Sequence, residues 1–305
     1  MTRVLIDGAA GTTGLEIEAR LAERPDVELI RLDDRQRKEV GARRDALNAA
    51  DIAILCLPDD AAREATGLVA NRHTRIIDAS SAHRVDPEWT YGFPELGYDV
   101  AGATRVSNPG CYPTGFVALV APLVRAGLLA SDWPFVVNAV SGYSGGGKAL
   151  IERFEREGTL AFRTYALELE HKHRAEMQHH AGLRHGVIFA PAVVRAYRGM
   201  VVEVPLHLGA MPGDPTANEL RDALHDAFAG SPVVNVADDA PLAELSLHDG
   251  ASASDAMVLH VRGNAEGYHA RLIAVLDNLG KGASGAVVQC FNLMTGCPET
   301  EGLRL

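Results

Sequence analysis

Short apolar runs alternate with helical stretches over roughly the first 80 residues of the chain. The runs are rich in β-branched residues and cover residues 4–6, 27–32, 51–57 and 75–78. Runs of this length, separated by helical segments, are typical of βαβ units, in which helices cover both faces of a parallel sheet. Residues 51–57 are almost continuously apolar and end at Pro58, which predicts a strand buried on both faces and Cys56 packed in the core.

Longer β-rich segments with fewer helices follow residue 130, as expected for an α+β domain. These segments cover residues 135–140, 187–189, 200–208, 257–261 and 271–276. Thr216 and Glu219 match a capping box, and Gly230 marks the end of the helix that they begin. Apolar residues at helical spacing would line one face of that helix: Leu220, Leu224 and Phe228. The same spacing predicts a closing helix over residues 284–294.

Length and composition exclude several classes of protein. The 305 residues are enough for two domains, and 47% hydrophobic with 23% charged residues is typical of a globular chain. The net charge of -11 disfavours nucleic acids and anionic membranes as partners. We find no signal peptide and no apolar run near the ~18 residues of a membrane span. The four cysteines are too sparse for a disulfide framework, which predicts reduced thiols and a cytoplasmic protein.

A glycine-rich loop follows the first predicted strand and leads into a helix. It reads Gly8-Ala-Ala-Gly11-Thr12-Thr13-Gly14. Glycines at such a turn let the backbone approach a pyrophosphate, whose charge is stabilised by the free N–H groups at the helix N-terminus. The loop therefore predicts a dinucleotide site; the alternative is a glycine-rich turn that only packs the helix on the strand.

The end of the second predicted strand should select the cofactor. An acidic residue there binds the ribose 2′-hydroxyl of NAD, whereas a cation accommodates the 2′-phosphate of NADP. The sequence from Asp33 to Lys38 offers both, because Asp33 and Asp34 precede Arg35 and Arg37. Spacing alone leaves the choice open, and a solvated charge run is equally compatible with it.

Cys111 is the candidate nucleophile. It lies in the segment Ser107-Asn-Pro-Gly-Cys-Tyr-Pro113, directly before an apolar helical stretch, and Pro113 suits a first helical turn. A helix N-terminus stabilises a thiolate, which is the nucleophilic form of cysteine. The alternative is a purely structural role for Cys111, as a small residue at a helix cap.

Histidines follow in the segment Tyr165 to Glu176, and His171 or His173 could serve as the base that a thiol requires. A metal site is the rival interpretation, since the two histidines would share a face if they lay on a strand. No carboxylate or cysteine spacing completes a ligand set, so we predict no metal. For His179 and His180 we expect a polar helix surface.

Two further segments suggest anion binding. Ser141 and Ser144 lie in a glycine-rich turn that ends at Lys148, where hydroxyls, backbone N–H groups and a cation could hold an anion. Arg84 could offer its planar fork to a phosphate or carboxylate.

In this order, the segments resemble the N-acetyl-γ-glutamyl-phosphate reductases of arginine biosynthesis, and specifically their shorter, type 2 branch. The resemblance covers nearly the whole chain and rests on residues 8–14, 78–84, 91–95, 107–114, 141–147, 171–173, 278–284 and 292–296. It implies a Rossmann-type dinucleotide-binding domain formed by residues 1–110 and 284–305. Residues 111–283 would form an inserted α+β catalytic and dimerisation domain of semialdehyde dehydrogenase type, in a homodimer or homotetramer.

The resemblance also implies a reaction and roles for individual residues. NADPH would reduce an acyl phosphate to an aldehyde through a Cys111 thioester, with His173 as the proton shuttle and His171 orienting it. Besides the glycine loop, the implied cofactor contacts are Arg35, Arg37, Ser80, Asn278 and Gly282. The implied substrate contacts are Arg84, Asn108, Ser141, Ser144, Tyr165 and Glu176. An enzyme resembling aspartate-semialdehyde dehydrogenase and a dinucleotide-sensing regulator without catalysis are the alternatives.

Overall fold

The computed structural model describes residues 1–305 and divides into two compact units. Unit 1 comprises residues 1–110 and 283–303, and unit 2 comprises residues 111–282 and 304–305. None of the helices has the length and apolar character needed to cross a bilayer.

The chain forms thirteen strands and eight α-helices. The strands are β1 (Thr2–Asp7), β2 (Val27–Ile30), β3 (Ile52–Leu55), β4 (Arg75–Asp78), β5 (Thr90–Tyr91), β6 (Arg105–Ser107), β7 (Val136–Gly142), β8 (Phe162–Thr164), β9 (Ile188–Val194), β10 (Met200–His207), β11 (Val234–Val236), β12 (Met257–Gly263) and β13 (His269–Leu276). The helices are α1 (Thr12–Ala22), α2 (Val40–Ala49), α3 (Asp59–Leu68), α4 (Cys111–Arg125), α5 (Gly147–Arg156), α6 (His173–His180), α7 (Ala217–Ala227) and α8 (Gly285–Thr295).

Unit 1 is a doubly wound α/β domain built on a six-stranded parallel sheet, in the order β2-β1-β3-β4-β6-β5. Successive side chains of a strand point to opposite faces, and β1 shows the result. Val4 and Ile6 pack with apolar side chains of α1 and α8, whereas Leu5 packs with those of α2 and α3. The chain moves to one side of β1 to form β2 and to the other side to form β3, so the switch point, where ligands bind in such sheets, lies at the end of β1.

Unit 2 is an α+β domain with a mixed seven-stranded sheet, in the order β11-β12-β13-β10-β7-β9-β8. Helix α4 is buried along almost its whole length and packs on β10 and β13. Gly115 makes this possible, because a methyl group at that position would lie 2.9 Å from the Val202 side chain. The nucleophile candidate thus stands at the end of a helix embedded in the core.

The predicted elements are present, whereas several short strands and one helix were not predicted. The capping box of Thr216 and Glu219 is confirmed, as is the closing helix, which begins at Gly285 after a π-helical turn. The sequence did not predict strands of two or three residues, such as β5 and β8, nor helix α5. Lys148 lies in the first turn of α5 with its side chain 81% exposed, rather than in a glycine-rich loop.

Candidate active site

The glycine loop of unit 1 is tightly packed at two of its glycines and open at the third. Gly8 has φ of +92°, and a methyl group on it would lie 2.3 Å from the Cys56 carbonyl oxygen. A methyl group on Gly14 would lie 2.6 Å from the Gly8 carbonyl oxygen, whereas Gly11 has ordinary space around it. Helix α1 begins directly afterwards, at Thr12, and the N–H groups of its first turn have no partner within the helix. The arrangement fits the pyrophosphate of a dinucleotide.

A cavity of about 200 Å³ lies beside this loop, at the end of β2. Arg31 and Arg37 both line it, together with Asp7, Ala9 and Leu32 among others. Arg31 was not a candidate from the sequence, although its position directly after β2 was a usable signal.

Local hydrogen bonds and ion pairs decide which charged residues after β2 face the cavity. The Asp33 carboxylate accepts hydrogen bonds from the backbone N–H groups of Arg35 (2.9 Å) and Gln36 (2.7 Å), so it caps its own turn. The Arg35 side chain is 87% exposed and pairs with Glu39 at 3.0 Å, outside the cavity lining. Of the two predicted arginines, Arg37 therefore lines the cavity and Arg35 does not.

The loop after β4 carries Ser80 and Arg84. The Ser80 hydroxyl and the His83 ring each lie 2.7 Å from one oxygen of the buried Asp78 carboxylate. Arg84 is buried and donates to the backbone carbonyls of Asn108 (2.9 Å) and Ala79 (3.1 Å). Arg84 and Asn108 are thus brought together, but through the backbone of Asn108.

Among the candidate substrate contacts in unit 1, Asn108 has a side-chain hydrogen-bond acceptor without a partner. Its side chain is buried, and its Oδ1 accepts no hydrogen bond. A buried polar atom without a partner carries a free-energy cost that a bound ligand can remove.

Cys111 is the first residue of α4, and its side chain is half-buried. The N-terminal end of the helix macrodipole favours a negative charge on its sulfur. The turn at Gly282 lies against it, since a methyl group on Gly282 would come within 3.0 Å of the Cys111 Cβ. The other three cysteines lack this setting. Burial raises the pKa of Cys56 to about 12, Cys290 is fully buried, and Cys297 contacts Arg24.

Four other aromatic rings surround His171 in unit 2, and they include His173 at 4.6 Å between ring centroids. Tyr165, Tyr112 and Phe189 lie at 5.7, 6.4 and 5.2 Å from it. The Tyr165 hydroxyl donates to that of Tyr112 (3.4 Å), which donates to the Ala192 carbonyl (3.1 Å). Tyr112 was not a candidate from the sequence, although it is the residue next to Cys111.

Burial and the neighbouring Cys111 together raise the pKa values of the two tyrosines. Burial is the main cause that raises the pKa of Tyr112, and it raises that of Tyr165 to about 12. A charge on Cys111 raises both further, so the sulfur lies within electrostatic reach of both hydroxyls. Both tyrosines therefore stay protonated and can act as hydrogen-bond donors.

The two histidines differ in their local structure. His173 is buried and begins α6, so the shared strand face that the metal interpretation required is absent. The Nδ1 atom of His171 accepts a hydrogen bond from the His173 backbone N–H (3.1 Å). Burial, with the neighbouring charge of Lys172, lowers the pKa of His171 to about 4. His171 is thus neutral near pH 7, with its proton on Nε2.

The remaining candidates in unit 2 form a buried polar layer. The Asn278 side chain donates to Ser144 Oγ (2.9 Å) and accepts from the Gly199 N–H (3.0 Å). Ser141 is buried and hydrogen-bonds to Tyr112, and Glu176 is buried in α6. His180 is also buried, so the expected polar surface at His179 and His180 was wrong for His180.

Comparisons with known proteins agree with this geometry. Residues 3–104 match the semialdehyde dehydrogenase NAD binding domain, and residues 111–278 match the semialdehyde dehydrogenase dimerisation domain. Solved aspartate semialdehyde dehydrogenases share the fold: one from Vibrio cholerae has a TM-score of 0.70 at 16% identity, covering 97% of this chain and 98% of that one. One from Francisella tularensis has a TM-score of 0.73 at 15% identity, covering 97% of this chain and 100% of that one. The predicted Rossmann-type fold with an α+β second domain is confirmed.

Curated relatives are much closer in sequence. The N-acetyl-gamma-glutamyl-phosphate reductase of Burkholderia orbicola is 48% identical over 96% of this chain and 97% of its own length. That of Rhizobium meliloti is 47% identical, over 96% of this chain and 98% of its own. N-acetyl-gamma-glutamyl-phosphate reductase 2 of Pseudomonas putida is 47% identical, over 98% of both chains. The chain therefore belongs to the semialdehyde dehydrogenase family and, within it, to the N-acetyl-γ-glutamyl-phosphate reductases.

Proposed function

We propose that the protein reduces N-acetyl-γ-glutamyl phosphate to N-acetylglutamate 5-semialdehyde and phosphate, with NADPH as the reductant, in arginine biosynthesis. One observation carries the proposal: a half-buried cysteine begins a helix whose next residue, Tyr112, packs against His171 and His173, in a chain close to half identical to reductases of that name. The alternative regulator without catalysis gives no reason for this arrangement.

The nucleophile, the base and the hydrogen-bond donor of the first half of the reaction all belong to unit 2. The Cys111 thiolate attacks the acyl carbon, the bond between that carbon and the phosphate oxygen breaks, and a thioester remains on the sulfur. His173 accepts the thiol proton. His171 donates its Nε2 proton in a hydrogen bond to the acyl oxygen as negative charge develops there, because a neutral imidazole with Nδ1 engaged is a donor.

The second half releases the aldehyde. The bound nicotinamide cofactor supplies the hydride that converts the thioester carbon to the aldehyde oxidation level. His173 returns its proton to the tetrahedral oxygen and removes it again as the carbon–sulfur bond breaks, which regenerates the Cys111 thiolate.

NADP is the proposed cofactor, and unit 1 has the groups to hold it. The loop from Gly8 through Gly11, Thr12 and Thr13 to Gly14 suits the pyrophosphate. Arg37 and Arg31 are the proposed contacts of the 2′-phosphate, because both line the cavity after β2. Ser80, Asn278 and Gly282 remain proposed contacts, although the Asn278 amide already bonds to protein on both sides.

The proposed substrate contacts differ in how strongly the structure supports them. Asn108 has an unsatisfied acceptor and Tyr165 a hydroxyl close to Cys111, so these two have the best support. Ser141, Ser144 and Glu176 are buried and have the weaker case. Arg84 already donates to two backbone carbonyls, so we expect it to shape the loop as well as to bind an anion.

We propose that residues 1–110 and 284–305 bind the cofactor and that residues 111–283 carry catalysis and dimerisation, in a homodimer or homotetramer. Half-buried valines on the sheet of unit 2, including Val201, Val258 and Val275, support an assembly through that sheet. The free cysteines fit a reducing compartment, and we propose the cytoplasm.

The reverse reaction tests the proposal. Purified protein should reduce NADP in the presence of N-acetylglutamate semialdehyde only when phosphate is added, and more slowly with aspartate semialdehyde. The opposite substrate preference would favour an enzyme resembling aspartate-semialdehyde dehydrogenase. Tight NADP binding with no turnover on either aldehyde would favour the regulator.

A further inference from the structure

The turn between β13 and α8 packs directly on the proposed nucleophile. A methyl group on Gly282 would lie 3.0 Å from Cys111 Cβ and 3.1 Å from the Asp277 carbonyl oxygen. Real side-chain carbons essentially never approach other heavy atoms closer than 3.0 Å, so there is no free space between the turn and Cys111. The course of residues 277–282 therefore limits where the sulfur can stand.

Asp277 builds this turn from within. Its carbonyl oxygen accepts hydrogen bonds from the N–H groups of Gly280 (3.1 Å) and Gly282 (3.0 Å). Its carboxylate Oδ1 accepts a third from the N–H of Leu279 (2.9 Å). One residue thus closes the turn through three bonds, and its side chain is only 5% exposed.

The second carboxylate oxygen of Asp277 is held from outside the turn. Arg198 Nη1 donates to Oδ2 at 2.8 Å, and the Ser254 N–H donates to it at 3.3 Å. Gly199, the residue after Arg198, bonds to the Asn278 side chain through its N–H and accepts from the Gly142 N–H (2.8 Å). The loop that carries Arg198 therefore connects the turn to the end of β7.

We propose that the Arg198–Asp277 ion pair is a positioning device that fixes the turn of residues 277–282 against Cys111, and so holds the thiolate in its reactive geometry. The inference rests on the proposed function, in which Cys111 is the nucleophile. An ion pair that is largely removed from water adds little net stability, but it enforces one arrangement of the groups that it joins. Misplacing a nucleophile by about 1 Å costs up to about 10²-fold in rate.

Two variants distinguish whether the Arg198–Asp277 pair acts by positioning the turn or by the effect of its charges on the Cys111 thiol. Asp277→Asn keeps the acceptor for Leu279 but removes a negative charge, whereas Arg198→Gln removes a positive charge and leaves the Asp277 turn contacts in place. If the pair acted through net charge, the two variants would shift the thiol pKa in opposite directions. If it acts through geometry, both variants loosen the same turn.

The experiment combines turnover with alkylation of the free enzyme. At saturating NADP, we expect kcat in the phosphate-dependent reverse reaction to fall about tenfold or more in both variants, with the KM for the semialdehyde little changed, because the turn holds the nucleophile. Iodoacetamide alkylation of Cys111, followed by peptide mass mapping without substrate or cofactor, should become faster in both variants, since a loosened turn uncovers the thiol. Arg198→Lys keeps the cation and should recover part of kcat.

Asp239→Asn is the matched control, because Asp239 pairs with Arg221 at 3.0 Å elsewhere in unit 2, and it should behave as wild type in both assays. Opposite changes in alkylation between Asp277→Asn and Arg198→Gln, or wild-type kcat in either folded variant, would overturn the proposal. If Asp277→Asn does not fold, Arg198→Gln and Arg198→Lys decide the matter alone. Alkylation uses no substrate, so it still reports on the turn if the enzyme proves to reduce a different acyl phosphate.

Discussion

Two helices of this protein begin at groups that the proposed reaction needs, and they are built in different ways. Helix α1 starts after the glycine loop and is buried along one side only; on the open side, even Leu15 is 56% exposed. Helix α4 starts at Cys111 and is buried along almost all of the rest of its length. Both N-terminal ends favour negative charge, since the helix macrodipole is a property of the backbone.

The difference follows from what each helix end must do. A cofactor binds and leaves in each turnover, and backbone N–H groups at an open helix start are sufficient for it. A covalent nucleophile stays in the protein and must meet the acyl carbon in one geometry, which a helix fixed in the core provides. Changes at α4 should therefore affect chemistry, and changes at α1 should affect binding.

The largest expected effect is that of Cys111→Ala. Without the sulfur no thioester forms, so we expect phosphate-dependent NADP reduction to fall at least about 10⁴-fold. NADPH binding, measured by fluorescence titration, should be unchanged, because α1 belongs to the other unit. Residual activity close to that of the wild type would contradict the thioester route.

Removal of the proton shuttle comes next. His173→Asn should lower kcat by about 10²-fold or more, because no group then takes the thiol proton. His171→Asn should cost less, since it removes one hydrogen-bond donor. Steady-state rates of the two variants check the order, and a larger loss for His171→Asn would exchange their roles.

At α1, Gly8→Ala should damage cofactor binding more than Gly11→Ala. The added methyl group would collide with the Cys56 carbonyl, and the positive φ adds backbone strain of about 1–3 kcal/mol. We expect at least about a tenfold rise in the NADPH Kd, which is about 1.4 kcal/mol, together with a lower unfolding temperature. Gly11→Ala, with space around it, serves as the control. Equal effects of the two would show that the loop is not shaped by its own backbone contacts.

Substitutions at the end of β2 should have a smaller effect, on the preference for NADPH over NADH. Arg37→Ala should raise the KM for NADPH about tenfold relative to that for NADH, as expected for the loss of one charge-assisted hydrogen bond to a phosphate. Arg35→Ala should leave the ratio unchanged, because Arg35 does not line the cavity and pairs with Glu39. A change of equal size in both variants would mean that the whole charge run acts as a diffuse field.

The smallest effect concerns pH and stability. The folded protein keeps His171 neutral down to a pKa of about 4, whereas the unfolded chain protonates it near 6.5. The unfolded state thus binds more protons, and the wild type loses stability as pH falls between these values. Relative to His171→Asn, its melting temperature should decline over this range and stay level above pH 7. A parallel pH dependence in the two proteins would contradict the lowered pKa.

Local sequence predicts the parts of this protein that depend on neighbouring residues. Strands β1 to β4, the glycine loop and the helix start at Cys111 all follow from short patterns, since strand, turn and helix signals lie within a few residues of one another. Two-residue strands such as β5 have no periodicity to detect. Asn278 and Ser144 are joined across 134 residues of sequence, so no local pattern reveals that bond. The choice between Arg35 and Arg37 depends on how one turn is capped, which charge and spacing do not determine.

The central claim is that Cys111 carries the acyl group, and peptide mass mapping of the acid-quenched enzyme tests it most directly. Wild-type enzyme without cofactor is mixed with N-acetyl-γ-glutamyl phosphate, quenched in acid and digested. We predict one N-acetylglutamyl group on the peptide that contains Cys111, with one phosphate released per subunit, and none in Cys111→Ala. An acyl group on another residue, or release of aldehyde on later addition of NADPH with no acylated intermediate, would contradict the mechanism.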